Sequence, residues 1–432
     1  MQGLDSSSAD AFAARPNRSM VRRRHAAGRR FASDVSDTSG ARSVPEPRSV
    51  PEPHATSEPR STRDPRSAAG RVRVTAMLLV ALVALALLMP TGFGMEGAGP
   101  ALNVNGQVEK KPVVAVSGVS TYPSDSEIFL TTVSSWGTPS EGITGFEALW
   151  ALMRSDYQLF PVRALYPADV TADDVEQRNK QQMASSQDSA AAVAFHLAGF
   201  PVREKLTVVQ VSKEYPSGSV LRVGDVLTGI RRVGRGADYT PVANFMELAE
   251  FLAAVNPGQQ VQLRIVRDGR EQEVSVTTVA QRPDQHGALQ VGAMLGVAMS
   301  VTDVRLPGKA SYGLKDIGGP SAGLMFTLGI YDQLTEGSLA GKAVIGGTGT
   351  MGWDGKIGPI GGIVHKMRGA AEHGVSDFLA PRGNCAETIG HEPAHMRVWA
   401  VSTAEEAVTV AQAIGAGDTT DLTLCSALET VG

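Results

Sequence analysis

Cysteine is scarce in this sequence: its 432 residues include two, Cys385 and Cys425. Two cysteines allow at most one disulfide, which an oxidising compartment would permit but the sequence does not require. Cys385 can be grouped with His391 and His395 as a metal cluster, but the spacing is irregular, a proline interrupts it and a fourth ligand is missing. We therefore expect no metal site.

A P-loop of the form G-x-x-x-x-G-K-[ST] is absent from the sequence. The chain therefore carries no P-loop ATPase and cannot unfold stable proteins by its own ATP hydrolysis. Residues 347–352 do fit G-x-G-x-x-G, but a dinucleotide site would need a helix to open there. Residues 353–356 instead indicate a hairpin turn, so we expect no cofactor.

Lysine is missing from residues 1–73, and large apolar residues are almost missing as well. This arm holds fourteen arginines and eight acidic residues, giving +6, while the remainder carries −10. An arginine-rich arm raises the hypothesis of nucleic-acid binding. Because a segment rich in proline, serine and alanine cannot bury a core, the composition favours a disordered, solvated cytoplasmic arm and no nucleic-acid partner.

The longest apolar run covers residues 74–95, which contain no charged side chain. This is about the length that a bilayer requires, so we predict a transmembrane helix there. Arg71 and Arg73 precede the run and Glu96 follows it, which predicts a cytoplasmic N-terminus with the rest of the chain outside. A cleaved signal peptide is the rival interpretation, but a 73-residue segment before its apolar core would be very long. The pattern favours a single-pass anchor in the cell membrane.

Ser321 lies at the start of a predicted helix. It follows Pro320, and apolar residues recur at helical spacing from Leu324 to Leu334. Backbone N–H groups at a helix N-terminus have no partner within the helix and are suited to hold a developing oxyanion. A lone serine in this position is more often only an N-cap, so the local sequence leaves both roles open.

Lys366 lies in the first turn of the following predicted helix, after the uncharged, glycine-punctuated residues 357–363. A lysine with the ordinary pKa of about 10.4 cannot take a proton from serine at neutral pH. Burial among apolar groups lowers this pKa, and a neutral lysine can act as a general base. The alternative is a solvated lysine on an amphipathic helix. We predict that Ser321 and Lys366 meet.

Three motifs in order resemble the proteolytic domain of Lon-type peptidases: G-P-S-A-G at 319–323, T-G-T at 348–350 and I-G-G-x-x-x-K at 360–366. The resemblance is in particular to the membrane-anchored, PDZ-containing Lon-like proteins of bacteria. It implies that Ser321 is the nucleophile, Lys366 the base and Thr348 a hydrogen-bond partner of the lysine. ATP-dependent Lon proteins usually have aspartate where this chain has Gly318, although Asp316 lies two residues earlier.

The G-P-S-A-G motif also fits G-x-S-x-G, the nucleophile elbow of α/β-hydrolases. The elbow needs a buried strand directly before its serine, and residues 311–318 make a poor strand. It also needs an acid and then a histidine downstream within a large sheet, while only about 110 residues follow Ser321. The sequence therefore argues against this fold.

Residues 197–281 resemble a PDZ domain. Gly224-Asp225 opens a strand, residues 244–255 form an amphipathic helix, and two strands turn at Asp268-Gly269. PDZ domains bind extended peptides as an added strand, and Gly199-Phe200 is the candidate for the binding loop. A rigid spacer that shades the active site is the alternative.

The predicted fold class is α+β, a Lon-type proteolytic domain with an inserted PDZ domain. Residues 96–111 indicate a linker, and the resemblance implies that residues 112–196 and 282–432 form the two parts of the peptidase domain. Residues 291–304 are expected to return to the peptidase sheet.

The sequence thus predicts an ATP-independent serine endopeptidase that cleaves flexible or unfolded secreted and membrane proteins outside the cytoplasm. Expected partners are protein or peptide substrates and the membrane, and assembly into a homo-oligomer stays open. The alternative is a PDZ-based membrane scaffold whose peptidase fold is inactive.

Overall fold

The computed structural model describes residues 65–167, 169–234, 238–282, 292–314 and 317–428. The chain divides into two units, residues 1–68 and 69–432, and the elements below belong to the second unit except for the first four residues of helix α1. Most of the arm predicted to be disordered, residues 1–64, lies outside the described part. Residues 65–73 were predicted to belong to that arm and instead begin α1.

Helix α1 (Pro65–Leu88) is long and apolar enough to cross a membrane over the window from Arg71 to Leu88. No residue of this window is buried inside the protein. The predicted span of 74–95 extended too far at its C-terminal end, because the helix ends at Leu88. Pro90 has no N–H group and disfavours a helical residue before it, so the helix ends at Leu88.

The N-terminal part of the main domain follows α1. Its elements are β1 (Phe93–Asn103), β2 (Gln107–Val108), β3 (Lys111–Pro112), β4 (Val114–Ser117), β5 (Glu127–Trp136), α2 (Gly145–Leu152), β6 (Gln158–Pro161), α3 (Val162–Leu165) and α4 (Ala172–Leu197).

Strand β1 corrects the predicted linker at 96–111. It lies inside the main sheet, antiparallel to both β5 and β6, with Met95 opposite Trp136 and Leu159. The segment contains three glycines and a proline, residue types that are depleted in strands, so its local composition argues against a strand. Pairing on both sides, which sequence patterns do not reveal, decides the structure.

The inserted domain contains a second sheet, one short helix and a separate pair of short strands. Its elements are β7 (Arg203–Val211), a 3-10 turn (Pro216–Ser219), β8 (Val226–Arg232), β9 (Thr240–Pro241), α5 (Phe245–Ala253), β10 (Gln260–Arg267), β11 (Arg270–Thr277), β12 (Val279–Ala280), β13 (Ala293–Met294) and β14 (Val297–Arg305).

This second sheet is antiparallel, with the strand order β11-β10-β8-β7-β14 and β9 added to β8. The expectation that residues 291–304 return to the peptidase sheet was wrong, because β14 pairs with β7 from Val297 to Arg305. The inserted domain therefore extends beyond the predicted end at residue 281. Phe200, proposed for a peptide-binding loop, instead contacts the ring of Phe195 in the core of the main domain.

The C-terminal part completes the main domain. Its elements are β15 (Lys309–Tyr312), α6 (Gly323–Leu334), β16 (Val344–Gly347), β17 (Thr350–Met351), β18 (Ile357–Gly358), α7 (Ile363–Ala371), β19 (Asp377–Pro381), a 3-10 turn (Arg382–Asn384), α8 (Cys385–Thr388), β20 (Arg397–Val401), α9 (Ala404–Ala416) and α10 (Cys425–Leu428).

The main sheet has the order β20-β19-β16-β5-β1-β6, with β5, β16, β19 and β20 parallel. Successive side chains of a strand point to opposite faces, and each face is covered here. Ile128 and Leu130 face the core that contains α4, α6 and α9, whereas Phe129 faces the core around α7. The main domain thus has helices on both faces of one sheet, and the predicted α+β class is confirmed.

Candidate active site

Ser321 lies in the loop that leads into α6, two residues before its first residue. Hydrogen bonds hold this loop to α4: the Ser186 hydroxyl donates to the Pro320 carbonyl at 2.8 Å, and the Gly319 N–H donates to the Asn179 carbonyl at 3.1 Å. On its other side, the Gly349 N–H donates to the carbonyl of Ser321 at 2.9 Å. The serine is therefore fixed between α4 and the end of β16.

Lys366 is the fourth residue of α7 and so lies in the first turn of a helix, the position predicted from the sequence. The N-cap of α7 is Gly362. Its φ of 70° lies in the left-handed region that favours glycine. A side chain there would also meet Val133, since an added Cβ would lie 2.8 Å from Val133 Cγ2. The tight turn brings α7 close to β5 and directs Lys366 into the interior.

The structure brings Ser321, Lys366 and Thr348 together. Lys366 Nζ lies 2.8 Å from Ser321 Oγ and 3.1 Å from Thr348 Oγ1. Thr348 Oγ1 in turn donates to the carbonyl of Ser321 at 3.0 Å. Thr348 follows the last residue of β16, so the end of this central strand lies between the serine loop and the lysine.

Lys366 is buried, with 3% of its surface exposed. Burial lowers its pKa from 10.5 to about 8, because the charged ammonium loses its hydration. Among the described residues, no carboxylate forms an ion pair with Lys366. Its partners are neutral oxygen atoms, so the neutral amine is far more accessible near neutral pH than in a solvated lysine.

Two contributors escaped the sequence reasoning. Lys366 Nζ donates to the backbone carbonyl of Thr131 on β5 at 3.0 Å. A backbone carbonyl carries no sequence signal. Ser186 on α4 donates to the Pro320 carbonyl. Its contact with the serine loop also exists only in the tertiary structure.

The position of Gly318, where ATP-dependent Lon proteins usually have aspartate, is too crowded for a side chain. A Cβ added to Gly318 would lie 2.8 Å from Asn179 Cβ, so α4 occupies the space that a side chain would need. Asp316 lies outside the described residues. The orientation of Lys366 instead comes from Thr131 and Thr348.

The geometry does not support the two alternative sites, a hydrolase triad at Ser321 and a metal cluster at Cys385. Within the described residues, the side-chain partner of Ser321 Oγ is Lys366 and not a histidine, as an α/β-hydrolase triad would need. His365 is buried, and its Nδ1 has no hydrogen-bond partner in the described part of the chain. Cys385 is bonded to Cys425 in a disulfide and is not free to bind a metal as a thiolate.

Comparison with protein families gives one match in the C-terminal part of the chain. Residues 306–412, which include Ser321, Thr348 and Lys366, match the Lon protease (S16) C-terminal proteolytic domain. A search of curated proteins found no match.

Solved structures of PDZ domains also resemble part of the chain. The PDZ domain of an SdrC-like protein from Listeria monocytogenes is 20% identical over 21% of this chain and 85% of that chain, with a TM-score of 0.16. The corresponding Listeria innocua domain is 19% identical over 21% of this chain and 91% of that chain, with a TM-score of 0.17.

Proposed function

We propose that this chain, whose residues 306–412 match the Lon protease (S16) C-terminal proteolytic domain, is a PDZ-containing, ATP-independent serine endopeptidase in which Ser321 and Lys366 form the catalytic dyad. The observation that carries the proposal is the 2.8 Å separation of Lys366 Nζ and Ser321 Oγ at a buried lysine. A structural lysine is rarely buried without a charged partner, since burial of an unpaired ammonium is costly.

Neutral Lys366 is the general base of the proposed mechanism. A neutral amine has two N–H bonds and one lone pair. If the N–H bonds point to the Thr131 carbonyl and Thr348 Oγ1, the lone pair points to the Ser321 hydroxyl. Ser321 Oγ attacks the scissile carbonyl while Lys366 takes its proton. Lys366 then returns the proton to the leaving amine, and water releases the acyl group by the reverse route.

Backbone N–H groups beside Ser321 are suited to hold the oxyanion. In the described part of the chain, the N–H groups of Gly323 and Leu324 donate to backbone carbonyls, whereas those of Ser321 and Ala322 have no partner. These two free donors precede α6, so the helix dipole adds to their effect.

The substrates in this proposal are flexible or unfolded segments of secreted and membrane proteins, because the sequence supplies no ATPase for unfolding work. Helix α1 anchors the chain, and Arg71 and Arg73 favour the cytoplasm for the N-terminal side. The Cys385–Cys425 disulfide agrees with an oxidising, extracytoplasmic location of the peptidase domain.

The inserted domain supplies a peptide-binding edge in this proposal. Strand β14 is the last strand of its sheet and pairs on one side, with β7, among the described strands. An extended peptide would add to the open side of β14, the mode that PDZ domains use. This edge replaces the loop at Gly199-Phe200 as the candidate site.

The dyad is tested with the full chain in detergent micelles, incubated with casein in the absence of ATP. Ser321→Ala should lower the cleavage rate by at least about 10³-fold, because the nucleophile is lost. Ser185→Ala, an exposed serine on α4, is the matched control and should cleave like the parent. Equal cleavage by parent and Ser321→Ala would rule out Ser321 as nucleophile. A folded parent that cleaves nothing would favour the scaffold.

A further inference from the structure

Helix α2 presents an apolar face to the outside of the protein. Phe146, Leu149, Leu152 and Met153 are 59%, 49%, 72% and 73% exposed. Their spacing puts them on one side of the helix and its C-cap, while Ala151 on the opposite side is buried with Met95 and Ile143. We call these four side chains the α2 face. Such a continuous exposed group of large apolar side chains indicates an interaction surface.

Aromatic rings surround a cavity beside the α2 face. Trp136, Trp150 and Tyr157 line a volume of about 330 Å³ together with Phe146. The rings of Trp150 and Tyr157 are 4.8 Å apart, and the Arg154 guanidinium lies 5.1 Å from the Trp150 ring centre. Tryptophan and tyrosine are the residues enriched where a protein meets the membrane–water interface.

The start of α2 is fixed to the end of α1. The Gly145 N–H donates to the Met89 carbonyl at 3.1 Å, and the Thr91 N–H donates to the Ile143 carbonyl at 2.8 Å. A Cβ added to Gly145 would lie 2.7 Å from the Ala86 carbonyl oxygen, so glycine permits this close approach. The α2 face therefore cannot move far from the last turn of α1.

The length of α1 sets where that last turn lies in a bilayer. The 18 residues from Arg71 to Leu88 extend about 27 Å at 1.5 Å per residue, close to the roughly 30 Å hydrocarbon thickness. When α1 spans the membrane, Leu88 and Met89 reach the far boundary of the hydrocarbon. Gly145, one hydrogen bond away, reaches the same depth.

The charges on α2 permit contact with lipid. Its single acidic residue, Glu147, uses its carboxylate to accept hydrogen bonds from the N–H and hydroxyl of Thr144 at the helix start, and α2 has no basic residue. Insertion of the α2 face would therefore leave this one carboxylate hydrogen-bonded at the helix start, and α2 brings no other charge to the membrane.

We propose that the α2 face lies in the lipid of the outer leaflet, at the membrane–water interface, and holds the peptidase domain against the membrane surface. The occupant is the bilayer rather than a second copy of the chain, because the connection to α1 already brings these side chains to that depth. This inference rests on the proposed membrane span of α1.

The experiment measures the depth of single side chains in the full chain reconstituted in phosphatidylcholine–phosphatidylglycerol vesicles. Leu152→Cys is labelled with a polarity-sensitive fluorophore, and lipids with a nitroxide near the top of the acyl chain are added. Val223→Cys on the inserted domain, where the native side chain is 64% exposed, is the matched control. The native cysteines are bonded to each other and do not compete for the label.

The label at position 152 should emit at shorter wavelength than the label at 223 and should lose more than half its intensity to the nitroxide lipids, while the label at 223 is unaffected. Equal, weak quenching at both positions would overturn the inference. A blue-shifted but unquenched label at 152 would also overturn it, because protein rather than lipid would then cover the face. Flotation of the vesicles distinguishes the membrane span of α1 from the lipid contact of the α2 face. A chain that does not float with the vesicles refutes both. A chain that floats but carries an unquenched label at 152 refutes only the lipid contact.

Discussion

Two regions of this protein bury an ionisable side chain in opposite ways. In the inserted domain, Asp225 is 1% exposed and receives hydrogen bonds from the Arg267 guanidinium at 2.7 and 2.6 Å and from the Arg222 N–H at 2.8 Å. In the main domain, Lys366 is 3% exposed and has neutral partners. The first residue retains its charge in the interior, and the second is driven towards its neutral form.

The pKa directions express this difference. Burial alone would raise the pKa of Asp225, but the bonds from Arg267 and Arg222 outweigh burial and hold the pKa below its ordinary value. Burial lowers the pKa of Lys366 to about 8. A paired buried charge stabilises its domain only while both partners remain, whereas an unpaired one costs stability and provides a base. The first pattern indicates a structural role and the second a chemical one.

The largest expected effect comes from replacing the proposed base, Lys366, by a side chain that stays protonated. Lys366→Arg should lower the rate of casein cleavage by about 10³-fold or more, equivalent to roughly 4 kcal/mol, because a guanidinium stays protonated and cannot accept the serine proton. Lys342→Arg, at an exposed lysine, is the control and should leave the rate unchanged. A Lys366→Arg rate above one tenth of the parent's would contradict the role of Lys366 as base.

Breaking the paired charge should destabilise the inserted domain. Arg267→Leu leaves the Asp225 carboxylate buried without its partner, and the expected loss is about 3–5 kcal/mol. Amide hydrogen exchange in β8 and β10 measures the opening free energy of this domain. Arg270→Leu, at an exposed arginine three residues on, should change it little. Protection that survives in Arg267→Leu would mean that the pair is not needed for stability.

Removing the unpaired charge of Lys366 should stabilise the main domain. The unfolded lysine has a pKa of 10.5 and the folded one about 8, so between these values the unfolded state binds more protons and stability rises with pH. Lys366→Met should therefore be more stable than the parent by about 3 kcal/mol at pH 7, with the difference fading by pH 10.5. Thermal unfolding at both pH values measures this. A difference that is the same at both would show that folding does not lower the pKa of Lys366.

The smallest effect concerns the Thr348 hydroxyl, which we propose orients Lys366. Thr348→Val removes the oxygen that accepts from Lys366 Nζ and should lower kcat by about 10–30-fold, roughly 1.4–2 kcal/mol. Because that oxygen stabilises the ammonium form, the pH–rate profile should also move to lower pH. Thr327→Val is the control, since the buried Thr327 hydroxyl donates within α6 to Gly323. A profile that does not move would limit Thr348 to packing.

The sequence was most informative where chemistry depends on a few residues in order. Ser321, Thr348 and Lys366 were named from three short motifs, and the helix after Ser321 and the helix bearing Lys366 were expected from spacing and glycine positions. Local backbone preferences fix these features, because a helix start and a left-handed glycine need little from the rest of the chain.

The sequence was least informative where distant strands pair. Strand β1 was taken for a linker because its glycines suggest no strand, and β14 was assigned to the wrong sheet because alternating side chains do not reveal their neighbour. The end of α1 was misjudged because the apolar run continues past Pro90.

The sequence by itself determined the residues capable of chemistry, the apolar helix and the presence of an inserted domain. Only the tertiary structure decided that the Thr131 carbonyl holds Lys366, that Asn179 fills the space beside Gly318, and that α2 lies against the end of α1. The physical reason is that side-chain type is written in the sequence, whereas backbone carbonyls and close approaches between distant segments exist only after the chain has folded.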